Sequence, residues 1–248
     1  MIKLSKNISF TIAIPLYNEK EGLQQLHQKL SKLVNDYSQS LDLTIFLVDD
    51  GSTDGTNILL HKLFKDDIYK IITHENNLNL GGFLQTAIKN CNSEYIGFLD
   101  SDCTYEPNLL IQMLDKINYG YEIVNASPFH PNGRIEGLSK IRKFVSYIAN
   151  TAYRMIIRKN IYTSSSICKI YKVALLQNIQ LKQKGFVSIT ELFIKSLLIN
   201  DIKHFEFPCE LTLRKFGKSK IKFLPTIKSH LYLMIEVFFI SLSGNKTR

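Results

Sequence analysis

The sequence is poor in the residues and spacings that mark several protein classes. It has no tryptophan, and its four cysteines show no CxxC or CxxH spacing, which argues against a zinc site and against a disulfide framework. Free thiols fit a reducing compartment; the four are Cys91, Cys103, Cys168 and Cys209. No Pro/Gly/Ser-rich linker, repeat or low-complexity tract divides the chain. We therefore predict one domain, residues 1–222, followed by a C-terminal extension, residues 223–248.

Sequence signals for secretion or for a membrane span are also missing. An apolar run near the N-terminus is ended early by Pro15, Asn18 and Glu19, and no small-residue cleavage site follows, so no signal peptide is predicted. The most apolar stretch, 231–242, has twelve residues including Glu236, whereas a span takes about 20. With basic residues on both sides, this stretch is predicted to be an amphipathic helix in a membrane interface, or else a helix packed on the domain.

Acidic residues are scarce in the second half, and the chain as a whole carries a net charge of +9. Residues 134–159 contain seven Lys/Arg and one acid, Glu136, and residues 214–228 contain six Lys/Arg and no acid. Solvated helix faces are the ordinary explanation. Attraction to anionic lipid or to a phosphate-bearing substrate is the alternative. A nucleic-acid partner is not predicted, because interleaved aromatic residues and a binding motif are absent.

Apolar runs alternate with segments of helical spacing through the first half. The runs have the length of buried strands, at 8–14, 43–48, 69–73, 95–99 and 121–126. Helical spacing occurs at 19–37, 53–64, 81–91 and 107–117, with predicted starts at Ser52 or Thr53 and at Pro107. The alternation predicts an α/β fold, a mainly parallel sheet with helices on both faces. Ligands of such sheets bind beyond the carboxyl ends of the strands.

The residues after the predicted strands are acidic rather than glycine-rich. They read "PLYNEKEG", "DDGSTDGT", "HENNLNLGG" and "DSDCTYEPN". Neither GxGxxG after the first strand nor GxxxxGK[ST] anywhere is present, which weakens a dinucleotide or a P-loop interpretation. An acidic crevice suits a nucleotide whose phosphates are held through a divalent cation.

Two acidic pairs stand out at these strand ends. Asp49 and Asp50 precede Gly51, where an acid can accept hydrogen bonds from a base or a ribose, although Asp-Gly is also ordinary turn chemistry. Asp100 and Asp102 are one residue apart, so an extended backbone would point both the same way. Two carboxylates and diphosphate oxygens can complete a Mg²⁺ or Mn²⁺ sphere. The alternative for this pair is a set of turn carboxylates, and we favour the metal.

Several separate motifs together resemble one enzyme family. "PLYNE", "VDDGSTDGT", "NLGG…TAI" and "FLDSD" resemble family 2 glycosyltransferases with the GT-A (Rossmann-like) fold. In the second half, "GRIEGLSKIRKFVSYIAN", "CKIYK", "GFVSITELFIKSL" and "FEFPCELTLRKFGKSK" are similar to the polyprenyl-phosphate (dolichol-phosphate) mannosyl- and glucosyltransferase branch. The similarity runs from about Thr11 to Lys220.

The resemblance implies a metal-dependent, inverting transfer of a mannose- or glucose-type sugar from a GDP- or UDP-sugar to a polyprenyl phosphate. The metal would be Mg²⁺ or Mn²⁺, and the enzyme would be cytoplasmic, held peripherally at the inner face of the cell membrane. The oligomeric state is left open. One alternative is a related transferase acting on a sugar or another lipid acceptor in cell-envelope polysaccharide or glycolipid synthesis. A non-enzymatic alternative is an idle module that docks on membrane or on a partner.

The resemblance also implies roles for individual residues. Those expected around the nucleotide sugar are Pro15, Tyr17, Glu19, Asp49, Asp50, Asp54 and Asp100, and those expected on the metal are Asp100 and Asp102. Those expected to act in catalysis are Asp102, Glu191, Arg142, Arg214 and Lys220. Arg142 would meet phosphate, Glu191 would lie near the sugar and acceptor, and the last two would close over the diphosphate or the acceptor phosphate. If the acceptor were a sugar hydroxyl, Glu191 or Asp102 would be the expected base.

Two positions depart from the family pattern. Pro128 stands where relatives often carry an arginine that meets phosphate, and Thr163 stands where an acid is usual. Both departures concern the acceptor side, so a shifted acceptor or sugar specificity is the expected consequence.

Overall fold

The computed structural model of the protein describes residues 8–212 and 223–242. The predicted catalytic residues Arg214 and Lys220 therefore lie outside the described residues. The main sheet has seven strands in the order β3-β2-β1-β4-β7-β5-β8. They are β1 (Ser9–Leu16), β2 (Asp42–Asp49), β3 (Tyr69–Thr73), β4 (Tyr95–Phe98), β5 (Ile123–Ser127), β7 (Lys169–Lys172) and β8 (His204–Pro208); β6 (Arg134–Ile135) and β9 (Glu210–Leu211) form a separate pair.

Helices separate most of the strands. They are α1 (Leu23–Tyr37), α2 (Thr56–Leu63), α3 (Asn79–Asn90), α4 (Asn108–Leu114), α5 (Lys140–Ile157), α6 (Val187–Leu197) and α7 (Phe223–Leu242), with 3-10 turns at Asp115–Tyr119 and Val173–Leu175. The five predicted strands correspond to β1–β5, with ends that differ by at most two residues. The predicted α/β fold with a mainly parallel sheet is confirmed, since β7 alone in the main sheet runs antiparallel to its neighbours.

Two apolar clusters cover the two faces of the sheet, because successive strand side chains point to opposite faces. One cluster contains Ile12 and Ile14 of β1 and the buried faces of α1, α2 and α4. The other contains Ala13 of β1 and the buried residues of α3, α5, α6 and α7. Helices therefore pack on both faces, as predicted.

The predicted start of the second helix is wrong. The helix α2 begins at Thr56, after Gly55 with φ 90°, and not at Ser52 or Thr53. The reason is tertiary: Ser52 and Thr53 form hydrogen bonds with Asn18, a residue of another strand-end loop. A capping rule predicts the start of a helix from local residues alone, so it cannot take account of hydrogen bonds between distant parts of the chain.

The last described helix, α7, packs on α5 and α6. Its Leu233 and Val237 are fully buried in the second cluster. Within residues 8–212 and 223–242, no helix combines the length and the apolar character needed to cross a bilayer. The boundary drawn at residue 222 between a domain and an extension stays a prediction.

Candidate active site at the carboxyl ends of the strands

The ends of β1, β2 and β4 lie side by side in the sheet. The backbone N–H of Asp50 donates to the carbonyl of Leu16 at 2.8 Å, and that of Leu99 donates to the carbonyl of Ala13 at 3.1 Å. The loops that carry residues 17–20, 49–56 and 100–103 therefore leave the sheet from three adjacent strands at one edge. This is the edge at which the sequence predicts a ligand.

Asn18 ties the first loop to the second. Its backbone has φ 51°, in the left-handed region that asparagine tolerates. Its N–H donates to Ser52 Oγ at 2.9 Å, and its Oδ1 accepts from the N–H of Thr53 at 2.8 Å. The N–H of Glu19 donates to Thr56 Oγ1 at 3.0 Å. Hydrogen bonds within the protein thus hold the loop that carries Tyr17 and Glu19, both predicted to contact the nucleotide, against the other acidic loop.

Asp49 and Asp54 are both held by bonds within these loops. Asp49, buried at the end of β2, accepts from the Ser52 N–H at 3.1 Å and from Asn57 Nδ2 at 2.9 Å. Asp54 accepts from the hydroxyl and N–H of Thr56 and from the N–H of Lys20. Burial acts to raise the pKa of Asp54, but these hydrogen bonds together hold it below its ordinary value. Asp54 is therefore a carboxylate near neutral pH.

Asp50 organises the next helix. Its Oδ1 lies 2.7 Å from His74 Nδ1 and accepts from the N–H of Leu78 at 2.8 Å. The other ring nitrogen of His74 lies 2.8 Å from Thr86 Oγ1 in α3. Asp50 thus sets the start of α3 relative to β2, a contact that no sequence motif indicated.

Asp100 and Asp102 follow β4 in a tight turn and are partly exposed. The Oδ1 of Asp102 accepts from the N–H of Thr104 at 3.0 Å, and Cys103, the next residue of the turn, has φ 57°. Burial raises the pKa of the Cys103 thiol to about 11, with the nearby Asp102 and Asp100 adding to the effect. The thiol therefore stays protonated, and the turn presents carboxylate oxygen rather than thiolate.

The donor set at this turn fits a divalent ion that is shared with a ligand. Within the described ranges, no group of three or more His, Cys, Asp and Glu side chains forms a metal site. Two carboxylates supply hard oxygen ligands, and Mg²⁺ and Mn²⁺ can take the remaining ligands from phosphate and water. Asp100 and Asp102 are therefore suited to an ion that also binds a diphosphate, rather than to a metal held by protein alone.

Glu191 lies fully buried in α6. Its two oxygens accept from the N–H groups of Lys182 (2.9 and 3.0 Å) and Gln183 (2.7 Å), and from Lys195 Nζ at 2.5 Å. These donors fix residues 180–184, called here the 180–184 segment. The carbonyl of Lys184 in turn accepts from the N–H of Gly81 in the first turn of α3 at 2.8 Å. Glu191 thus supports the edge of the site through the 180–184 segment.

The same cluster reaches α7. Lys195 Nζ also lies 3.2 Å from Glu236 Oε1 and donates to the carbonyl of Gln180 at 2.9 Å. Lys182 Nζ pairs with Glu236 at 3.0 Å. Burial acts to raise the pKa of Glu236, but the two lysines hold it below its ordinary value. The acid in the middle of the apolar C-terminal stretch therefore faces the protein.

The two positions that depart from the family pattern meet in the structure. Thr163 Oγ1 lies 2.9 Å from Ser127 Oγ and accepts from the N–H of Phe129 at 3.2 Å. These two partners flank Pro128, so Pro128 and Thr163 are neighbours in the structure. Both positions carry neutral side chains.

Other predicted residues are placed as follows. Pro15 lies within β1 opposite Val48 of β2, one residue before the strand ends. Arg142 lies exposed in the first turn of α5, where its N–H donates to Ser139 Oγ at 3.4 Å. The nucleotide, metal and catalytic roles assigned to individual residues stay predictions.

One buried group near the acidic turn, Lys169, was not predicted from the sequence. Lys169 begins β7 opposite Phe98, the residue that ends β4, and its ammonium donates to the carbonyls of Ser164 and Ser166. Burial lowers its pKa to about 7, while Glu206 acts in the opposite direction. A lysine in the short apolar run "CKIYK" gave no sign of full burial.

Comparison with known proteins gives this arrangement a family. A model described as "Glycosyl transferase family 2" matches residues 11–180. The chain is 24% identical over 214 residues to a dolichol-phosphate mannosyltransferase of Pyrococcus furiosus, covering 86% of this chain and 59% of that protein. It is 26% identical over 220 residues to a polyprenol monophosphomannose synthase of Mycolicibacterium smegmatis, covering 85% and 80%. The chain thus spans less than two thirds of the Pyrococcus protein.

A similar solved structure is glucosyl-3-phosphoglycerate synthase from Mycobacterium tuberculosis, crystallised with Mn²⁺, UDP-glucose and phosphoglyceric acid. It has a TM-score of 0.67 and 16% sequence identity, with 96% of this chain and 80% of that one covered. The likeness confirms the expected GT-A fold. The family model covers more than half of the 248 residues and includes the strand ends with both acidic pairs. The chain therefore belongs to glycosyl transferase family 2.

Proposed function

We propose that the protein transfers a hexose, of the mannose or glucose type, from a GDP- or UDP-sugar to a polyprenyl phosphate. The observation that carries the proposal is the carboxylate pair Asp100 and Asp102 at the end of β4, beside the two loops tied together by Asn18. The names of the two curated relatives support a polyprenol-linked product.

The donor would lie across the ends of β1, β2 and β4. The base and ribose would contact the Tyr17–Glu19 loop and the Asp49–Asp54 loop, which are held together by mutual hydrogen bonds. Asp100 and Asp102 would hold Mg²⁺ or Mn²⁺, and this ion, when bound, neutralises charge on the diphosphate and on the departing nucleotide. The crystal structures of the mycobacterial synthase in complex with Mn²⁺ and UDP-glucose support this expectation.

The acceptor needs no base from the protein if it is a phosphate. A lipid phosphate is already an anionic nucleophile, so the protein's task is to hold the two reactants in line and to stabilise the leaving group. Arg142, Arg214 and Lys220 would supply positive charge for this purpose. Glu191, whose oxygens bind two backbone N–H groups and Lys195, would act as a positioning residue that keeps the 180–184 segment in place.

A second candidate is transfer to a sugar or to another lipid acceptor, in polysaccharide or glycolipid synthesis. The neutral side chains of Pro128 and Thr163 favour it, because the resemblance leads us to expect an arginine and an acid at these positions, and Thr163 contacts the hydroxyl of Ser127 instead of a charged partner. In that case a hydroxyl nucleophile would need a base. Of the two expected candidates, Glu191 is fully buried and Asp102 is partly exposed, so Asp102 would be the first residue to test.

The test is transfer of radiolabel from GDP-mannose and from UDP-glucose to undecaprenyl phosphate, with Mg²⁺ or Mn²⁺ and with a chelator. The proposal expects metal-dependent label in the organic phase with at least one donor, and a loss of about 100-fold or more in Asp102→Asn. Asp67→Asn is the matched control. Asp67 is an exposed acid just before β3, so it lies at the amino end of a strand, whereas the candidate site lies at the carboxyl ends. No label with any donor would refute the proposed acceptor, and unchanged turnover in Asp102→Asn would refute the metal role.

A further inference from the structure

Lys169 is a buried cation that the proposed transfer does not use. It is 1% exposed at the start of β7, and its ammonium lies 4.8 Å from the centroid of the Phe193 ring in α6. The ammonium donates to the carbonyls of Ser164, at 3.3 Å, and of Ser166. Because burial removes an ammonium from bulk water, it needs such acceptors in exchange. Lys169 therefore binds the stretch of chain that leads into its own strand.

Buried side chains from three elements hold residues 162–166, called here the 162–166 segment. Glu206 of β8 accepts from its first two backbone N–H groups, at 3.0 and 3.2 Å. Asn150 of α5 accepts from the N–H and the hydroxyl of Ser164, at 2.9 and 2.7 Å. These two anchors and Lys169 are each at most 7% exposed. Side chains of the surrounding fold, rather than helix or strand bonds, therefore set the course of the segment.

The 162–166 segment lies next to the turn after β4 that carries the two predicted metal ligands. The antiparallel pairing of β4 and β7 sets Lys169 opposite Phe98, so the chain before Lys169 runs beside the chain after Phe98. Ser166 Oγ donates to Tyr105 Oη at 3.2 Å, which ties one end of the segment to the residues that follow the turn. Near the other end, the Thr163 hydroxyl contacts the end of β5. One short segment thus connects the predicted metal ligands with the side on which the acceptor is expected.

Packing alone does not account for a lysine at this position. Burial lowers the pKa of Lys169, and the carboxylates of Glu206 and Asp100 act in the opposite direction. A buried ammonium is costly, and an apolar side chain of similar volume against Phe193 would often be equally stable or more stable. A role in orienting backbone carbonyls, by contrast, requires the ammonium.

We propose that Lys169 is a positioning residue for the transfer reaction. By holding the carbonyls of Ser164 and Ser166, it keeps the 162–166 segment against the turn proposed to bind the metal, and so sets where the acceptor lies relative to the donor. A displacement of about 1 Å can cost about 100-fold in rate when two reactants must be held in line. The inference rests on the proposed function, because it needs an acceptor on this side of the crevice. Donor binding, which uses the ends of β1, β2 and β4, should not depend on Lys169.

The test is steady-state transfer to undecaprenyl phosphate by the full chain, with GDP-mannose or UDP-glucose, whichever the wild type uses. In Lys169→Met we expect kcat/KM for the acceptor to fall about 100-fold, while the Kd of the matching nucleoside diphosphate with Mn²⁺, measured by calorimetry, changes less than about threefold. Lys169→Arg, which keeps the charge and the donors, should recover about a tenth or more of the wild-type value. Lys172→Met, at the other end of the same strand, is the matched control and should behave as wild type.

A milder variant tests the same contact without altering the buried charge. Tyr105→Phe removes the hydroxyl to which Ser166 donates and keeps the ring, so it should lower kcat/KM for the acceptor about fivefold and leave the Kd unchanged. Unchanged acceptor kinetics in Lys169→Met, or a Kd weakened as much as kcat/KM, would overturn the inference, as would a Lys169→Arg variant equally impaired. If circular dichroism shows that Lys169→Met does not fold, wild-type kinetics in Tyr105→Phe would overturn it.

Amide hydrogen exchange separates this inference from the proposed function, because it needs no substrate. In Lys169→Met, exchange in the 162–166 segment should become about tenfold faster or more, while exchange in β1 and β2 stays as in the wild type. If the wild type transfers no label, the proposed acceptor is refuted and exchange alone decides the positioning role. Faster exchange confined to the segment and the neighbouring turn would then support that role, and unchanged exchange would overturn it.

Discussion

Lys195→Met is the sharpest probe of the buried ion cluster. The Lys195 side chain is 8% exposed and its partner Glu191 is fully buried. Removing one member of a buried pair leaves an uncompensated charge and costs about 3–5 kcal/mol. Glu191 keeps the N–H groups of Lys182 and Gln183, and Glu236 keeps Lys182, so we expect the lower end, about 3 kcal/mol.

The measurements are urea unfolding and thermal unfolding, both followed by circular dichroism. A loss of about 3 kcal/mol corresponds to a fall of about 6–12 °C in Tm for a chain of this size. Lys65→Met, which removes an exposed lysine from a loop, is the control and should change stability by less than about 0.5 kcal/mol.

The double variant Glu191→Gln/Lys195→Met completes a thermodynamic cycle. Because the neutral amide that replaces the Glu191 carboxylate no longer needs a cation, the double variant should lose less stability than the two single losses added together. A loss below about 1 kcal/mol in Lys195→Met would show that the pair does not behave as a buried one. Strict additivity in the cycle would equally refute the reasoning.

Three further predictions concern the 180–184 segment, the contact of α7 with α5, and the loop contact made by Asn18. Gly81→Ala should cost about 1–3 kcal/mol, since a Cβ would lie 2.5 Å from the backbone of the 180–184 segment, whereas Gly185→Ala, with open space around it, should be nearly neutral in the same unfolding assay. Burial lowers the pKa of His230 from 6.5 to about 4, so the unfolded chain binds a proton at a higher pH than the folded chain does. The free energy of unfolding should therefore fall as the pH is lowered between these values, by at most about 1.4 kcal/mol per pH unit. His230→Gln should flatten this part of the pH profile, and an unchanged slope would contradict the prediction. Asn18→Ala should raise the donor KM more than it lowers kcat, because the side-chain contact between the two loops is lost and alanine is disfavoured at positive φ, and steady-state kinetics with varied donor will check this.

The first half of the fold could be predicted because its signals are local. Short apolar runs bounded by Asp, Asn and Gly identified β1 to β5, and their rhythm indicated the parallel arrangement. The second half could not, since β7 is a four-residue strand whose direction depends on its partners. The direction of a strand in a sheet depends on tertiary contacts, and the residues "CKIYK" do not indicate it.

The site shows the same division. The acidic residues of the site could be identified from the sequence, because turns and metal sites use the same few types of side chain. Their supports were not, because Asn18, His74 and Lys195 act through partners that are distant in the chain or through backbone groups. Asp50 illustrates the difference: its place after a strand was predicted, but its bond to the start of α3 was not.

The reversed direction of β7 has a consequence for how this protein could be altered. Ser127 ends β5 and Lys169 begins β7, and the two strands are hydrogen-bonded neighbours, so the chain leaves and re-enters the sheet at the same edge. Residues 128–168, which include α5, therefore form a closed excursion from the ends of the strands. Exchanging this segment for that of a relative would leave the order and direction of the main-sheet strands unchanged, provided that the pairing of β6 with β9 and the packing of α5 on α7 are kept. Chimeras made at these two points would combine residues 128–168 of one family member with the loops after β1, β2 and β4 of another.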